Sequence, residues 1–405
     1  MRVSGIFKLN NMIRHYPWGT IDVLESLFGI ENRYQKPQAE IWMGAHESAP
    51  SSVLMKADQT INLDAFIEKD PAKVLGKNVS GKFNNQLPFL FKILSARTPL
   101  SIQAHPNKKQ AEIGFERENR QIPYLPAEKR NYKDPNQKPE LVYAITKFKA
   151  LNGFRSIIEI IKFFKLINSG IIKNDVQVLC ENPGNPESLK LFYSRIMRLN
   201  KTEADQLIQE TLTFAAKQPN NRTMAEIIAL HKHYPGDLGV LSPLLLNLIT
   251  MNPGEMMFLN AGQLHAYLEG TCVEIMANSD NVIRGGLTPK YIDIEELLKI
   301  LTFKSTIPDI FYPVQGAVNG LSICQSPAKE FELSIINRHQ NEIETDIRMR
   351  SIEILFCAKG KLRLNIRGQD TGFLLSQGES CMITADVEAY FINGEGKAFR
   401  AVVPL

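Results

Sequence analysis

Four short stretches of this sequence hold residue types that can do chemistry together. In Pro99-Leu-Ser-Ile-Gln-Ala-His-Pro106, alternation along a strand puts Ser101, Gln103 and His105 on one face and Leu100, Ile102 and Ala104 on the other. With the apolar face seated in a core, an amide and an imidazole would look into a cavity; the same pattern also describes a half-exposed edge strand. Glu140 follows Lys138-Pro139 and opens the apolar run Leu141 to Ile145, so its carboxylate stands at the start of a second strand, as a cavity ligand or as a loop cap. His265 lies between Gly262 and Gly270, ahead of the apolar Ala266 and Leu268. Two histidines and one carboxylate from three strands make a metal site with an open position. No compact ligand motif such as HExxH accompanies them, which leaves three structural side chains as the alternative.

The fourth stretch, Met276 to Lys290, gathers Asp280, Arg284 and Lys290 around Gly285-Gly286. Paired glycines let a backbone approach a ligand closely. An arginine fork and a lysine point charge suit a phosphate; the alternative is a surface loop closing onto the helix that follows. His15, His46, His231, His233 and His339 read as structural histidines. His231 and His233 stand two apart on a helix and do not share a face.

The elements that must position these groups change character along the chain. Residues 1 to about 155 have strand-and-loop texture, with a helix or two around Leu63 to Leu75. From Ser156 the pattern turns helical: Ile157 to Ile167 is apolar with Lys and Glu interspersed, Asn185-Pro186 reads as an N-cap and first helical residue, and Thr223 with Glu226 reads as a capping box. Strand texture returns near Gly239, and Asp293 with Glu296 opens one more helix. The last hundred residues read as β, with Leu362, Leu364 and Ile366 alternating against Lys361, Arg363 and Arg367 between glycine turns, as in a sandwich or jelly roll.

At 405 residues the chain has room for about two or three domains. Lysine plus arginine (47) nearly balances aspartate plus glutamate (43), a formal charge of +4, which is too mild to suggest a nucleic-acid binder and leaves room for a local basic pocket. Five scattered cysteines without a CxxC pair read as free thiols in a reducing compartment. The opening residues lack the apolar core of a secretory signal, and Leu238 to Met251 is too short and too interrupted to span a bilayer. The expectation is a cytoplasmic protein with no membrane partner.

The strings LSIQAHPNK, NQKPE, LHAYLEG and MANSDNVIRGGLTPKYID, in this order, resemble the type I mannose-6-phosphate (phosphomannose) isomerases. Tyr16-Pro17-Trp18-Gly19 and Ala39-Glu-Ile-Trp-Met-Gly44 resemble that family's opening motifs, so the likeness runs from about residue 11 to 300. It implies a mainly β fold with an α-helical insert: two cupin-like (jelly-roll) β-domains plus a helical domain. The expected division is 1–155 plus 233–310 for the catalytic cupin-like domain, 156–232 for the helical insert and 311–405 for the C-terminal cupin-like domain.

The resemblance further implies one Zn²⁺ per chain held by Gln103, His105, Glu140 and His265. The implied reaction is the reversible isomerisation of D-mannose 6-phosphate to D-fructose 6-phosphate through a cis-enediol, feeding GDP-mannose synthesis. Arg284, Lys138, Asp280 and Glu274 are the implied catalytic groups; Lys92, Ser101, Lys290 and Trp18 are the implied substrate-binding groups. Two neutral imidazoles, a neutral amide and one carboxylate leave such a site with a charge of about +1, and the nearby lysines and arginine add to it, which favours a phosphorylated sugar. One departure is Gln137, where many family members carry histidine; Gly285 stands where alanine is common. The expected partner is a small-molecule sugar phosphate, with the chain as a monomer or weak homodimer. The competing reading is a cupin-type metal-dependent oxygenase using the same ligands; a sugar-phosphate sensor would need one of these motif residues to be lost, and none is.

Overall fold

The computed structural model describes residues 5–55, 59–121, 126, 129–318, 320–340, 344–349, 351–369 and 372–404. Two large, mainly antiparallel sheets and a bundle of helices account for them. The first sheet carries the chemistry-bearing strands. Its order runs Ile310–Phe311, Met256–Leu259, Glu140–Ala144, His265–Ala277, Phe89–Ala96, Glu40–Gly44, Met12–Arg14.

The 13-residue strand His265–Ala277 is the pivot of this sheet. Its C-terminal part pairs with Phe89–Ala96 and Glu140–Ala144, whereas its first residues pair with Ile102–Ala104 and Phe148–Phe154. The register breaks between Tyr267 and Glu269, and Gly270 takes φ +117° at the corner, where a Cβ would come within 2.5 Å of the Lys147 carbonyl. A glycine is required there, and it lets one strand serve both walls of a barrel. The interior between the walls is filled by Leu94, Val142, Phe148, Ala150, Met257 and Tyr267.

The helices Ile157–Ile167, Lys173–Glu181, Pro186–Met197, Lys201–Ala216 and Arg222–His233 form the bundle. Asn185 caps its helix by accepting from Glu187 N–H, with Pro186 at the first position. Asn200 and Glu203 make a reciprocal capping box. The capping box expected at Thr223 is instead an Asn221 cap: its side chain accepts from Thr223 and Met224, so Thr223 already lies inside the helix. The one or two helices expected around Leu63 to Leu75 are two, Leu63–Lys69 and Pro71–Leu75, divided where Asp70 caps the second. Ile102, Ala104, Leu151, Leu264, Ala266 and Leu268 share one core with the helices. The bundle is therefore seated on the back of the strands that carry Gln103 and His265.

The second sheet is built from the strands between Val314 and Val402, and the N-terminal strands Ile6–Asn10, Ser52–Leu54 and Thr60–Asn62 extend it, with Ile6 opposite Ile383. Phe89, Phe91, Ile93 and Ile275 of the first sheet share a core with Ile354, Phe356 and Phe399 of the second, so the two β-units pack face to face. Every cysteine is free, and all but Cys180 are buried. Among the described residues no helix is long and apolar enough to cross a membrane.

Candidate metal centre

His105, Glu140 and His265 converge inside the barrel, each 1% exposed. Their ligand atoms all lie within 4.8 Å of one another. His105 follows the short strand Ile102–Ala104, whose alternation is the one expected: Ile102 and Ala104 enter the helical core and Gln103 faces the other way. His265 stands directly opposite Gln103, and Gln103 is opposite Arg284 on its other side, so the three share a face across adjacent strands. Glu140 is the first residue of its strand.

Both imidazoles have a fixed tautomer. His105 Nδ1 lies 2.7 Å from the Asn281 carbonyl and His265 Nδ1 lies 3.1 Å from the Gln263 carbonyl. A carbonyl only accepts, so each Nδ1 carries the proton and each Nε2 offers a lone pair. Those two Nε2 atoms are buried without a hydrogen-bond partner, 3.3 and 3.5 Å from the Glu140 carboxylate oxygens. Two lone pairs and a carboxylate facing one another repel unless a cation stands among them. The donor set thus fits a divalent metal ion. Burial, against the pull of Glu140 and with help from Lys138 and His265, pushes the His105 imidazole down to about 4, which keeps it unprotonated and ready to ligate. Against the opposing effect of burial, Lys138 (Nζ at 3.2 Å) and His105 hold the Glu140 carboxyl well below its usual range.

Next to the triad lies a second buried charge network. Lys92 Nζ sits 3.5 Å from Glu40 and 3.4 Å from Glu274, over the Trp42 ring. Burial lowers the lysine's proton affinity, yet Glu40, Glu274 and Glu140 together raise it above the ordinary value. Glu274 also accepts from Tyr267 OH at 2.7 Å, and burial with Glu140 and Glu40 raises its carboxyl against the pull of Lys92. Lys92 is therefore engaged by carboxylates rather than free to grip a phosphate.

The remaining expected residues border this centre. Asn281, fully buried, ties two loops together: its Oδ1 accepts from Lys133 N–H at 2.7 Å and its Nδ2 donates to the Asp134 and Asn136 carbonyls at 2.7 and 2.8 Å. Its own carbonyl orients His105, so the loop that leads to Lys138 and the loop bearing Asp280 are both indexed to the triad. Asp280 N–H donates to Asp134, and the Asp280 carboxylate lies 3.3 Å from His46. Arg284 is half-buried, and burial lowers its proton affinity. Lys290 is exposed; burial of its near surroundings, Arg284 and Lys133 all depress it, which marks the three cations as neighbours. Ser101 is half-buried ahead of its strand, and Trp18 stacks on Tyr16 with ring centroids 5.6 Å apart, beside Leu100 and the barrel core.

One sequence reading changes. The paired glycines do not serve a ligand: a Cβ on Gly286 would come 2.8 Å from Gly239 Cα, and one on Gly285 would meet Leu264 at 2.9 Å, so they let this loop pack on the helical unit and on the strand before His265. Gln137 donates to Glu330 at 2.9 Å, tying the Lys138–Glu140 approach to the segment leading into the second sheet. Sequence reasoning missed His46, Asn281, Lys133, Tyr267, Glu40 and Trp42. The strings AEIWMGAH, NSDN and LHAYLEG contain five of them, but their roles come from partners up to 176 residues away.

Comparisons with known proteins agree with this geometry. The family model of the phosphomannose isomerase type I catalytic domain matches residues 6–157, and that of the type I helical insertion domain matches residues 169–246. Mannose-6-phosphate isomerase of Salmonella typhimurium is 40% identical over 399 residues, covering 97% of this chain and 98% of its own length. The Homo sapiens protein of the same name is 36% identical over 360 residues, covering 82% of each. A crystal structure of a phosphomannose isomerase variant from Salmonella typhimurium superposes with a TM-score of 0.91 at 37% identity, over 99% of this chain and 100% of that one. A crystal structure of a mannose 6-phosphate isomerase bound with zinc and yttrium superposes with a TM-score of 0.90 at 38% identity, over the same shares.

Proposed function

The chain belongs to the type I phosphomannose isomerases, and on that premise we propose that it interconverts D-mannose 6-phosphate and D-fructose 6-phosphate using one zinc ion held by Gln103, His105, Glu140 and His265. The observation that carries this reading is the pair of buried, unpartnered Nε2 atoms facing the Glu140 carboxylate. When bound, a divalent cation supplies Lewis acidity toward the oxygens of the sugar.

The protein groups then divide the work. Lys138 and Asp280 assist ring opening, the ammonium donating toward the ring oxygen and the carboxylate accepting from the anomeric hydroxyl. Asp280 rests ionised, as a proton acceptor must before the step, since His46, then Lys133 and Lys138, hold its carboxyl down to about 2 against partial burial. Glu274, whose carboxyl burial raises, takes the proton from C2 while Asp280 returns to O1 the proton it took on ring opening, giving the cis-enediol. Glu274 then returns its proton to C1 and Lys138 reclaims one from O2, so the ketose forms with no net gain or loss of protons or electrons. Arg284 and Lys290, with Lys133 beside them, hold the phosphate. Lys92 balances the charge of Glu40 and Glu274 rather than holding substrate, and Ser101 and Trp18 border the sugar.

The product pair connects this reaction to GDP-mannose synthesis in the cytoplasm. We propose the chain as a monomer or weak homodimer that acts on a small-molecule sugar phosphate, away from nucleic acid and membrane, with the three-part division stated from the sequence. The convergence of Lys138, Arg284 and Lys290 near the triad supports an anionic substrate over an oxygenase reading. The test is isomerisation by the purified chain before chelation, after it, and with zinc restored. Turnover that falls with chelator and returns with zinc is expected; a folded, zinc-loaded protein without turnover would refute the proposal.

A further inference from the structure

Nothing in its sequence surroundings distinguishes His46, yet in the fold it is 5% exposed and its ring meets Trp42 edge-on, with centroids 4.8 Å apart. The Ser48 backbone N–H donates to His46 Nδ1 at 3.2 Å, and the Ser48 hydroxyl lies 3.0 Å from the same atom. A backbone N–H only donates, so Nδ1 carries no proton and the ring's single proton sits on Nε2. That Nε2 lies 3.3 Å from Asp280 Oδ1. We infer that His46 is a positioning residue for Asp280: with its tautomer fixed by Ser48, it presents Nε2–H to the carboxylate and holds it in the orientation in which it meets the sugar.

The surroundings of Asp280 show why such a device is needed. Its backbone is fixed by the bond to Asp134, but its side chain is 41% exposed and borders a cavity of about 360 Å³ shared with Glu47, Lys133 and Asn136. Lys133 and Lys138 pull on the carboxylate, and Asp134 and Glu47 add negative charge near it. Point charges of both signs leave orientation loose, whereas a rigid ring locked between Trp42 and Ser48 defines a direction. Since Nδ1 is taken by the Ser48 N–H, His46 serves as a fixed donor and not as a base. Asp280 is one residue from Asn281, whose carbonyl orients His105, so the same loop is registered at one end by His46 and at the other by the triad.

The inference rests on the isomerase reading above, and the test separates the two. His46→Phe keeps a ring against Trp42 and removes the donor; His46→Gln loses the ring and keeps a donor near the Nε2 position. A positioning role predicts that Phe lowers kcat/KM roughly ten- to a hundredfold, the size of one hydrogen bond to a charged group, and that Gln recovers most of the loss. A packing role predicts the reverse order. In an Asp280→Asn background the Phe substitution should cost less than about threefold, because the carboxylate it serves is gone. Histidine-labelled protein should show the Nε2–H tautomer for His46 by long-range ¹H–¹⁵N correlation, with a shifted Nε2 signal in Asp280→Asn. An active wild type whose Phe variant matches it, or an Nε2 signal unmoved by Asp280→Asn, would overturn this role alone. A wild type without turnover would overturn the isomerase reading and this role with it.

Discussion

Lys92→Met removes one ammonium and almost nothing else. Methionine matches the length of the lysine stem and can keep its contact with Trp42. The ammonium now stands 3.5 Å from Glu40 and 3.4 Å from Glu274, both carboxylates being less than 7% exposed. At an effective dielectric of 20, each contact is worth about 5 kcal/mol before desolvation is counted. Recovering the lysine's desolvation cancels much of that sum, and breaking a buried pair from one side leaves a net loss of about 3–5 kcal/mol. A loss of that size lowers the thermal midpoint by roughly 4–6 °C. The pH dependence has a definite sign. The raised pKa of Lys92 means its contribution is intact below the unfolded lysine value, hence throughout the neutral range. In the variant the Glu274 carboxyl, already raised, rises further, so the folded state binds a proton that the unfolded state does not. Stability of the variant should therefore increase as pH falls from 8 toward 5, more steeply than in the wild type. Adding Glu274→Gln should restore at least half of the lost midpoint. Differential scanning fluorimetry across that pH range measures all three. A variant within 2 °C of the wild type at pH 8, or one whose midpoint is equally flat in pH, would refute the charge network described here.

Three further outcomes follow from named contacts. His105→Ala and Glu140→Ala each remove one of three converging ligand groups, so plasma emission analysis of the purified variants should find well under half an equivalent of zinc, with turnover reduced in proportion. Asn281→Ala deletes the amide that joins Lys133, Asp134 and Asn136 while leaving the carbonyl to His105; we expect a loss of about 2–3 kcal/mol in denaturant unfolding and a fall in kcat, and a neutral result would show that the two loops hold without it. Because Asp280 is held at about 2, its ionisation should leave no trace in the pH–rate profile between pH 4 and 8, so an acid limb in that window that vanishes in Asp280→Asn would contradict the assignment.

What the sequence discloses and what it conceals divide along a physical line. Alternation is local, and it correctly turns Gln103 away from Ile102 and Ala104, which sink into the helical core. Capping chemistry is local too, and Asn185-Pro186 and Asp293 with Glu296 open their helices as their types require. Pairing between distant segments has no such signature: nothing in Ile6–Asn10 announces that it will lie against Ser380–Ile383. The candidate site follows the same rule. His105, Glu140 and His265 sit in recognisable strings, but what makes them a ligand set is the proton on each Nδ1, and that is decided by carbonyls of Asn281 and Gln263 which no residue-type pattern encodes. Lys92 is expected among the substrate-binding groups until two carboxylates from other strands close on it, and Gly285-Gly286 reads as a ligand cradle until Gly239 and Leu264 occupy the space. The helical unit completes the logic. By filling the back of the strands that carry Gln103 and His265, it fixes the backbone that aims them, so a core substitution at this seam such as Leu264→Ala should loosen the metal centre before it unfolds the barrel. Zinc affinity measured by competition with a chromophoric chelator would register that loosening; an unchanged affinity alongside a lowered midpoint would mean that the bundle stabilises the fold without tuning the site.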